Sequence, residues 1–291
     1  MYISERDNLE GILKYKSDGV RKSQTLDWYS SDSKENFETI IKNTPSVYSF
    51  YNEYPIKYEF NNHGFRTPDD FNSTDEGNVF LGCSHTAGVG TQFDNTWVAR
   101  IDSHTIYKDY KCYNLGVPAA SPSTMFRLLL YYKDVLKIKN VFHYSLLSPR
   151  YELFYDKDNM DRHWEYFGSY LNDLKQENKE FPHDNFIMNS FLSDEYKMLD
   201  QLKNFLAIKQ ICNTLGINYY LATETLLERW IKKKKTWFNR YSKKENLSFM
   251  PARDGAHMNT DKHFMLAHYF TYLIDNGEKV NIDLSLYDKN L

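Results

Sequence analysis

Two short segments carry residue types whose chemistry could cooperate. The first, Gly82-Cys83-Ser84-His85-Thr86-Ala87-Gly88-Val89-Gly90, places a serine among glycines. Glycine on both sides of Ser84 lets the backbone turn sharply and leaves the hydroxyl near a helix start, where amide donors can meet a developing oxyanion. A glycine-rich phosphate cradle is the rival reading, but the spacing matches neither G-x-G-x-x-G nor the lysine-containing P-loop. The second segment is Arg253-Asp254-Gly255-Ala256-His257-Met258-Asn259. A hydroxyl nucleophile is weak at neutral pH and needs a base within hydrogen-bond reach, whose tautomer a carboxylate fixes. His257 suits the base, and Asp254 can approach its ring within one turn. Alone, D-x-x-H is a weak pattern, because acid and histidine neighbours occur in many solvated loops.

The remaining candidates are subordinate. Cys83 is a second conceivable nucleophile. His85 adjoins Ser84, but neighbours on a turn point apart, so it is a poorer base and is grouped with Arg150 as a substrate contact. Arg150 suits an anionic substrate group, with a surface ion pair to Glu152 or the N-terminal segment as the bland reading. His263 and His268 read as packing residues of the last helix. Their spacing is not that of H-E-x-x-H, and no credible metal set is visible.

The elements that must position these residues follow from periodicity. Residues 78–82 form an apolar run that meets small residues at once, as a buried parallel strand ending in a tight turn does. Further strands are expected at 111–117, 140–147 and 217–222, with a short fifth extended segment at 248–251. Helices are expected at 121–137, where Ser121-Pro122 marks the start, from about 193 to Gly216, and at 261–274. Alternating strands and helices predict an α/β fold, a flavodoxin-like three-layer α/β/α sandwich around a parallel sheet of about five strands. In such sheets sites form at the carboxyl ends of strands, where Ser84 falls. Residues 1–75 read as an irregular leader packed on the domain at 76–291, and 151–190, charged and aromatic without a clean period, as an insertion or lid.

Taken together, Ser84 after the first strand, a glycine- and alanine-rich turn after the second, and Asp254 with His257 before the last helix resemble the SGNH/GDSL hydrolases. Asn61-Asn62-His63-Gly64-Phe65-Arg66, Thr96-Trp97 and the run from Asn114 to Ser121 are similar to one branch of that family. A bland reading fits each: Arg66 anchoring the leader, Trp97 in the core, Gly116 in a turn. The resemblance implies a flavodoxin-like fold and a serine esterase that forms an acyl-enzyme, with Ser84, Asp254 and His257 as its triad and no cofactor. It further implies an oxyanion hole made by the amides of Ser84 and Ala119, where the family has a glycine at the second position. Its third donor is an asparagine side chain, for which alignment substitutes Ser148. Small acyl groups on carbohydrates or lipids are the implied substrates. A catalytically weak SGNH-fold binding or structural module and an O-acyltransferase are the competing functions.

Composition narrows the partners. Lys+Arg at 36 against Asp+Glu at 39 gives no electrostatic reason to expect nucleic acid or an anionic membrane. The cluster at Lys232 to Lys235 reads as a solvated helix end. With 16% aromatic residues the chain suits a sugar-stacking surface, which favours a small-molecule or glycan ester, although ordinary core packing accounts for the same composition. Three cysteines argue against a disulfide framework, and charges throughout the first fifteen residues exclude a signal-peptide core. No stretch reaches membrane-span length, so a cytoplasmic location is expected.

Overall fold

The computed structural model describes residues 21–104, 107, 109–146, 150–157, 161–167, 194–244 and 250–277. In chain order the elements are β1 (Thr25–Leu26), α1 (Lys34–Asn43), α2 (Pro45–Tyr48), α3 (Phe50–Glu53), β2 (Tyr58–Glu59), β3 (Glu76–Leu81), α4 (Ser84–Ala87), α5 (Trp97–Asp102), β4 (Lys111–Asn114), α6 (Pro122–Tyr132), β5 (Lys137–Ser145), β6 (Tyr151–Lys157), β7 (Asp161–Phe167), α7 (Asp194–Leu215), β8 (Asn218–Thr223), α8 (Glu224–Lys244) and α9 (Thr260–Asp275).

The fold is α/β, with a parallel four-stranded sheet in the order β4-β3-β5-β8 flanked by helices. Alternation along the strands splits the core in two. Val79, Leu81, Val141 and Leu221 pack with Leu128 and Leu129 of α6 and Phe205 and Ile208 of α7. Phe80, Phe142 and Ala222 pack with Trp97 of α5 and Leu266 and Phe270 of α9. The register is also pinned by polar groups. Asn140 donates to Asn78 at 2.8 Å, and Asn218 to Asn140 at 2.9 Å, so two buried amides and the exposed Asn218 form a ladder across β3, β5 and β8. A one-residue slip would break both bonds and turn each strand's apolar set to the other face.

Several elements differ from the sequence expectation. The sheet has four strands among the described residues. Of the expected fifth segment at 248–251, residues 248 and 249 lie outside them, and Met250 and Pro251 form no strand. The stretch at 151–190 begins as a hairpin, with β6 and β7 paired antiparallel from Tyr151↔Phe167 to Lys157↔Asp161. The lysine cluster lies within α8 rather than at a helix end, with Lys232, Lys233 and Lys234 exposed.

The leader is not wholly irregular. Ser33 caps α1 by accepting the Asn36 amide, and Phe37, Ile40 and Ile41 face a core with Tyr51, Ile56, Tyr58 and Phe60. That apolar set covers a single helical turn, too little to register as a sustained period. Ala87 and Val89, just beyond Ser84, belong to the same core.

A buried ion pair joins the leader to the C-terminal loop. Arg253 Nε donates to Asp32 Oδ1 at 2.8 Å and Nη2 to Oδ2 at 2.7 Å, with the two side chains 3% and 0% exposed. Arg253 Nη2 also donates to the Asp27 carbonyl at 2.6 Å, its guanidinium lies 4.0 Å over the Trp28 ring, and Tyr58 donates its hydroxyl to Asp32. Breaking such a pair leaves an uncompensated buried charge. Asp32→Ala should therefore destabilise the fold by about 3–5 kcal/mol, read as a lower urea midpoint, and a loss below about 1 kcal/mol would mean that water reaches Arg253.

Candidate functional site

Ser84 follows β3 by three residues and opens α4, a single turn that ends at Gly88 in the left-handed conformation. It is 3% exposed. The turn is stitched to the neighbouring strand end: the Asn114 side chain donates to the carbonyls of Thr86 at 3.0 Å and Arg66 at 2.9 Å, and accepts the Gly116 amide at 2.9 Å. Gly116 is required there, since a Cβ would come within 2.4 Å of the Ala87 amide nitrogen. Ala119, farther along this loop, takes φ +62°, the left-handed region a glycine would occupy without cost.

Asp254 and His257 meet in the turn after Ala252. His257 Nδ1 lies 2.5 Å from Asp254 Oδ2, while Asp254 Oδ1 accepts the amides of Ala256 and His257, each at 3.1 Å. Burial pushes the carboxyl's pKa up, but the bonds from His257, Ser31 and Ala256 outweigh it and hold it down to about 2. The carboxylate is thus ionised and points at one ring nitrogen, leaving Nε2 to face elsewhere.

Gly90 joins the two loops. Its carbonyl accepts the Arg253 amide at 2.7 Å, its amide donates to the Tyr58 hydroxyl at 2.9 Å, and a Cβ would come within 3.0 Å of Asp254 Oδ1. His85, the residue after Ser84, packs its ring edge-to-face against His257 at 5.2 Å. The structure thereby brings the Asp254–His257 pair against the loop that bears Ser84. Arg66 braces the far side of that loop, donating to the carbonyls of Ala87, Gly88 and Lys57 under the Tyr58 ring.

The other sequence candidates sort by position. Ser148 lies outside the described residues. Arg150 borders a crevice with Cys83, Ala120, Met125 and Ser145, and its Nη1 is buried with no hydrogen-bond partner. Among the described residues it pairs with no carboxylate. His85 is at the site although it is a poor base. Burial, reinforced by the nearby charges of His257 and Arg150, pushes its pKa down to about 3, and its Nδ1 has no partner. His263 is buried in α9 and accepts the Trp97 amide at 3.2 Å, while Trp97 stacks on Phe270 in the core. No group of three histidine, cysteine or acidic side chains suited to a metal occurs among the described residues. No helix among them is long and apolar enough to cross a membrane.

Sequence reasoning missed Ser31 and Asp32. Ser31 donates its hydroxyl to Asp254 Oδ2 at 2.7 Å across 223 positions of chain, and no local pattern marks that contact.

Comparison with known proteins gives a narrow result. No family model matches the chain. No curated protein matches it. Among solved structures it is similar to a protein from Desulfitobacterium hafniense DCB-2 whose name places it in the G-D-S-L family of lipolytic proteins. The similarity covers 67% of this chain and 97% of that one, at 12% identity and a TM-score of 0.34, and at that level carries no argument.

Acid should weaken the fold. His85 and His143 are pushed down to about 3 and His263 well below the usual imidazole range, in each case chiefly by burial. A histidine whose folded pKa is depressed contributes stability that is complete above its unfolded value, about 6.5, and is lost as pH falls towards the folded value. Asp254 adds a loss at lower pH, from the ordinary carboxylate range down to about 2. The urea midpoint should therefore drop between pH 7 and pH 5, and a flat midpoint would show these imidazoles to be protonated in the fold.

Proposed function

We propose that this chain is a serine-dependent ester hydrolase, with Ser84 as nucleophile, His257 as general base and Asp254 as the carboxylate that orients it. The observation that carries this reading is the Asp254–His257 contact of 2.5 Å, docked through Gly90 onto the loop that opens at Ser84. The order of the motifs, which resembles the SGNH/GDSL pattern, supports it independently of any structural neighbour.

In this mechanism Ser84 Oγ bonds to the ester carbonyl carbon while its proton passes to His257 Nε2. The tetrahedral oxyanion is held by the amides of Ser84 and Ala119, and the left-handed backbone at Ala119 supports an alanine standing where the family has glycine. Ser148 is the remaining proposed donor. Collapse breaks the bond to the leaving alkoxide, which takes the proton from His257, and leaves an acyl-serine. Water then attacks the acyl carbon, its proton passes through His257 back to Ser84, and a carboxylic acid departs. The proposed substrate is a small acyl group on a carbohydrate. His85 and Arg150 are its proposed contacts, and the unpartnered Nη1 of Arg150 favours a substrate with an anionic group near the ester.

On a chromogenic acetate ester, Ser84→Ala should lower turnover by about a thousandfold or more while the urea midpoint stays within about 1 kcal/mol of the parent. A fluorophosphonate probe should label the peptide containing Ser84, and labelling of Cys83 or of no residue would overturn the assignment. A crystal structure should place Ser84 Oγ about 3 Å from His257 Nε2, and a gap beyond about 8 Å would sink the triad, because side-chain rotation cannot close it.

Arg150 is tested by substrate choice. Arg150→Ala should raise KM about tenfold or more for an acetylated uronic acid and leave a neutral acetylated sugar nearly unaffected. Equal effects on both would remove the anionic preference.

A further inference from the structure

We propose that Ser31 is a positioning residue of this site, holding the Asp254 carboxylate in the orientation that His257 requires, so that the N-terminal segment completes the catalytic apparatus. The inference rests on the ester-hydrolase reading for its catalytic meaning. Its geometry stands on separate contacts.

Asp254 has its acceptor sites filled from two directions. Oδ1 is fixed by amides of its own loop, whereas Oδ2 accepts His257 Nδ1 at 2.5 Å and the Ser31 hydroxyl at 2.7 Å. Ser31 Oγ lies 3.5 Å from His257 Nδ1, so it sits beside the carboxylate–imidazole contact. Without Ser31, Oδ2 would be held by His257 alone, the residue whose ring it has to orient. A second donor fixes the carboxylate independently of that ring and also stabilises its ionised form.

The leader is built to deliver this hydroxyl. Tyr29 and Asp32 exchange backbone hydrogen bonds at 3.0 and 3.2 Å, which leaves Ser30 and Ser31 at the corner of a tight turn. Ser30 takes φ +60°, a conformation costly for a residue with a side chain and retained where the surroundings impose it. Asp32, one residue on, is clamped by Arg253, the neighbour of Asp254. The Asn36 side chain bridges the same two loops by donating to the backbone carbonyls of Ser31 at 3.0 Å and Asp254 at 3.3 Å. Two anchors beside Ser31 and one across to Asp254 fix the hydroxyl against the carboxylate.

Other titratable groups act on Asp254. They are His257 on its own loop, His85 on α4, and Tyr48 and Tyr51 on α2 and α3. The experiment therefore removes Ser31 alone. In Ser31→Ala, kcat on a chromogenic acetate should fall roughly tenfold with KM unchanged, and Ser31→Thr should recover most of it. The carboxyl ¹³C resonance of Asp254, assigned with Asp254→Asn, should titrate at higher pH in Ser31→Ala than in the parent, because a donor to the ionised form has gone. An unmoved carboxyl titration, or a kcat retained in Ser31→Ala, would overturn the inference. If the parent hydrolyses no ester, the functional reading fails, and the carboxyl titration still decides whether Ser31 holds Asp254.

Discussion

The site depends on the ion pair between Arg253 and Asp32. Asp254 and His257 lie on a turn without regular structure, and such turns do not hold side chains to the tolerance that proton transfer needs. Arg253 makes this one stiff. Its guanidinium is engaged by both carboxylate oxygens of Asp32, by the Asp27 carbonyl and by the Trp28 face, while its amide is bound to Gly90. Removing two charges from water costs several kcal/mol per ion before attraction returns it, so the pair is a poor device for net stability. What the pair does fix is position, since a displaced turn would strand a charge in the interior.

That constraint explains why the leader exists in the form it does. The sheet and its helices already bury two apolar faces, and the leader's own core of Tyr51, Ile56, Tyr58 and Phe60 adds a third. What the leader supplies beyond apolar area is a set of polar groups aimed inward. Asp32 meets Arg253, Tyr58 meets both Asp32 and Gly90, Arg66 meets Ala87 and Gly88, and Ser31 meets Asp254. The Ser84 loop and the Asp254 loop are thereby fixed to one another and to a common third body. Gly90, at φ +73°, is where the two loops are hydrogen-bonded, and a Cβ there would press within 3.0 Å of Ala252 and Asp254.

Legibility from sequence followed the range of the forces involved. β3, α6, α7, β8 and α9 were readable because each carries its own apolar period and its own stop signal, as with Pro122 at the start of α6 and Gly216 after α7. Ser84, Asp254 and His257 stood out because two loops each keep unusual residues at short spacing. α8 was missed because Lys232 to Lys235 dominate its middle, and its buried contacts come from Leu227 and the partly buried Trp230, a pattern legible only with α9 in place. Asp32 and Ser31 were invisible for a different reason. Their partners lie more than 200 positions away, and an aspartate or serine in a polar leader looks like any solvated residue until the chain has folded.

The rings of His85 and His257 show how placement alters what an imidazole can do. The ring centroids of His85 and His257 are 5.2 Å apart, and the two differ in what surrounds them. His257 faces an ionised carboxylate, whereas His85 faces burial, a second imidazole and the guanidinium of Arg150. His257 meets the Asp254 carboxylate directly, whereas at His85 burial and the charges of His257 and Arg150 outweigh the pull of Asp254. With its pKa pushed down by burial, the ring of His85 can offer a hydrogen bond or a packing surface but is a poor proton acceptor. The fold thus gives the two histidines different partners by arranging which of them meets Asp254, and the leader residues that fix Asp254 take part in that arrangement.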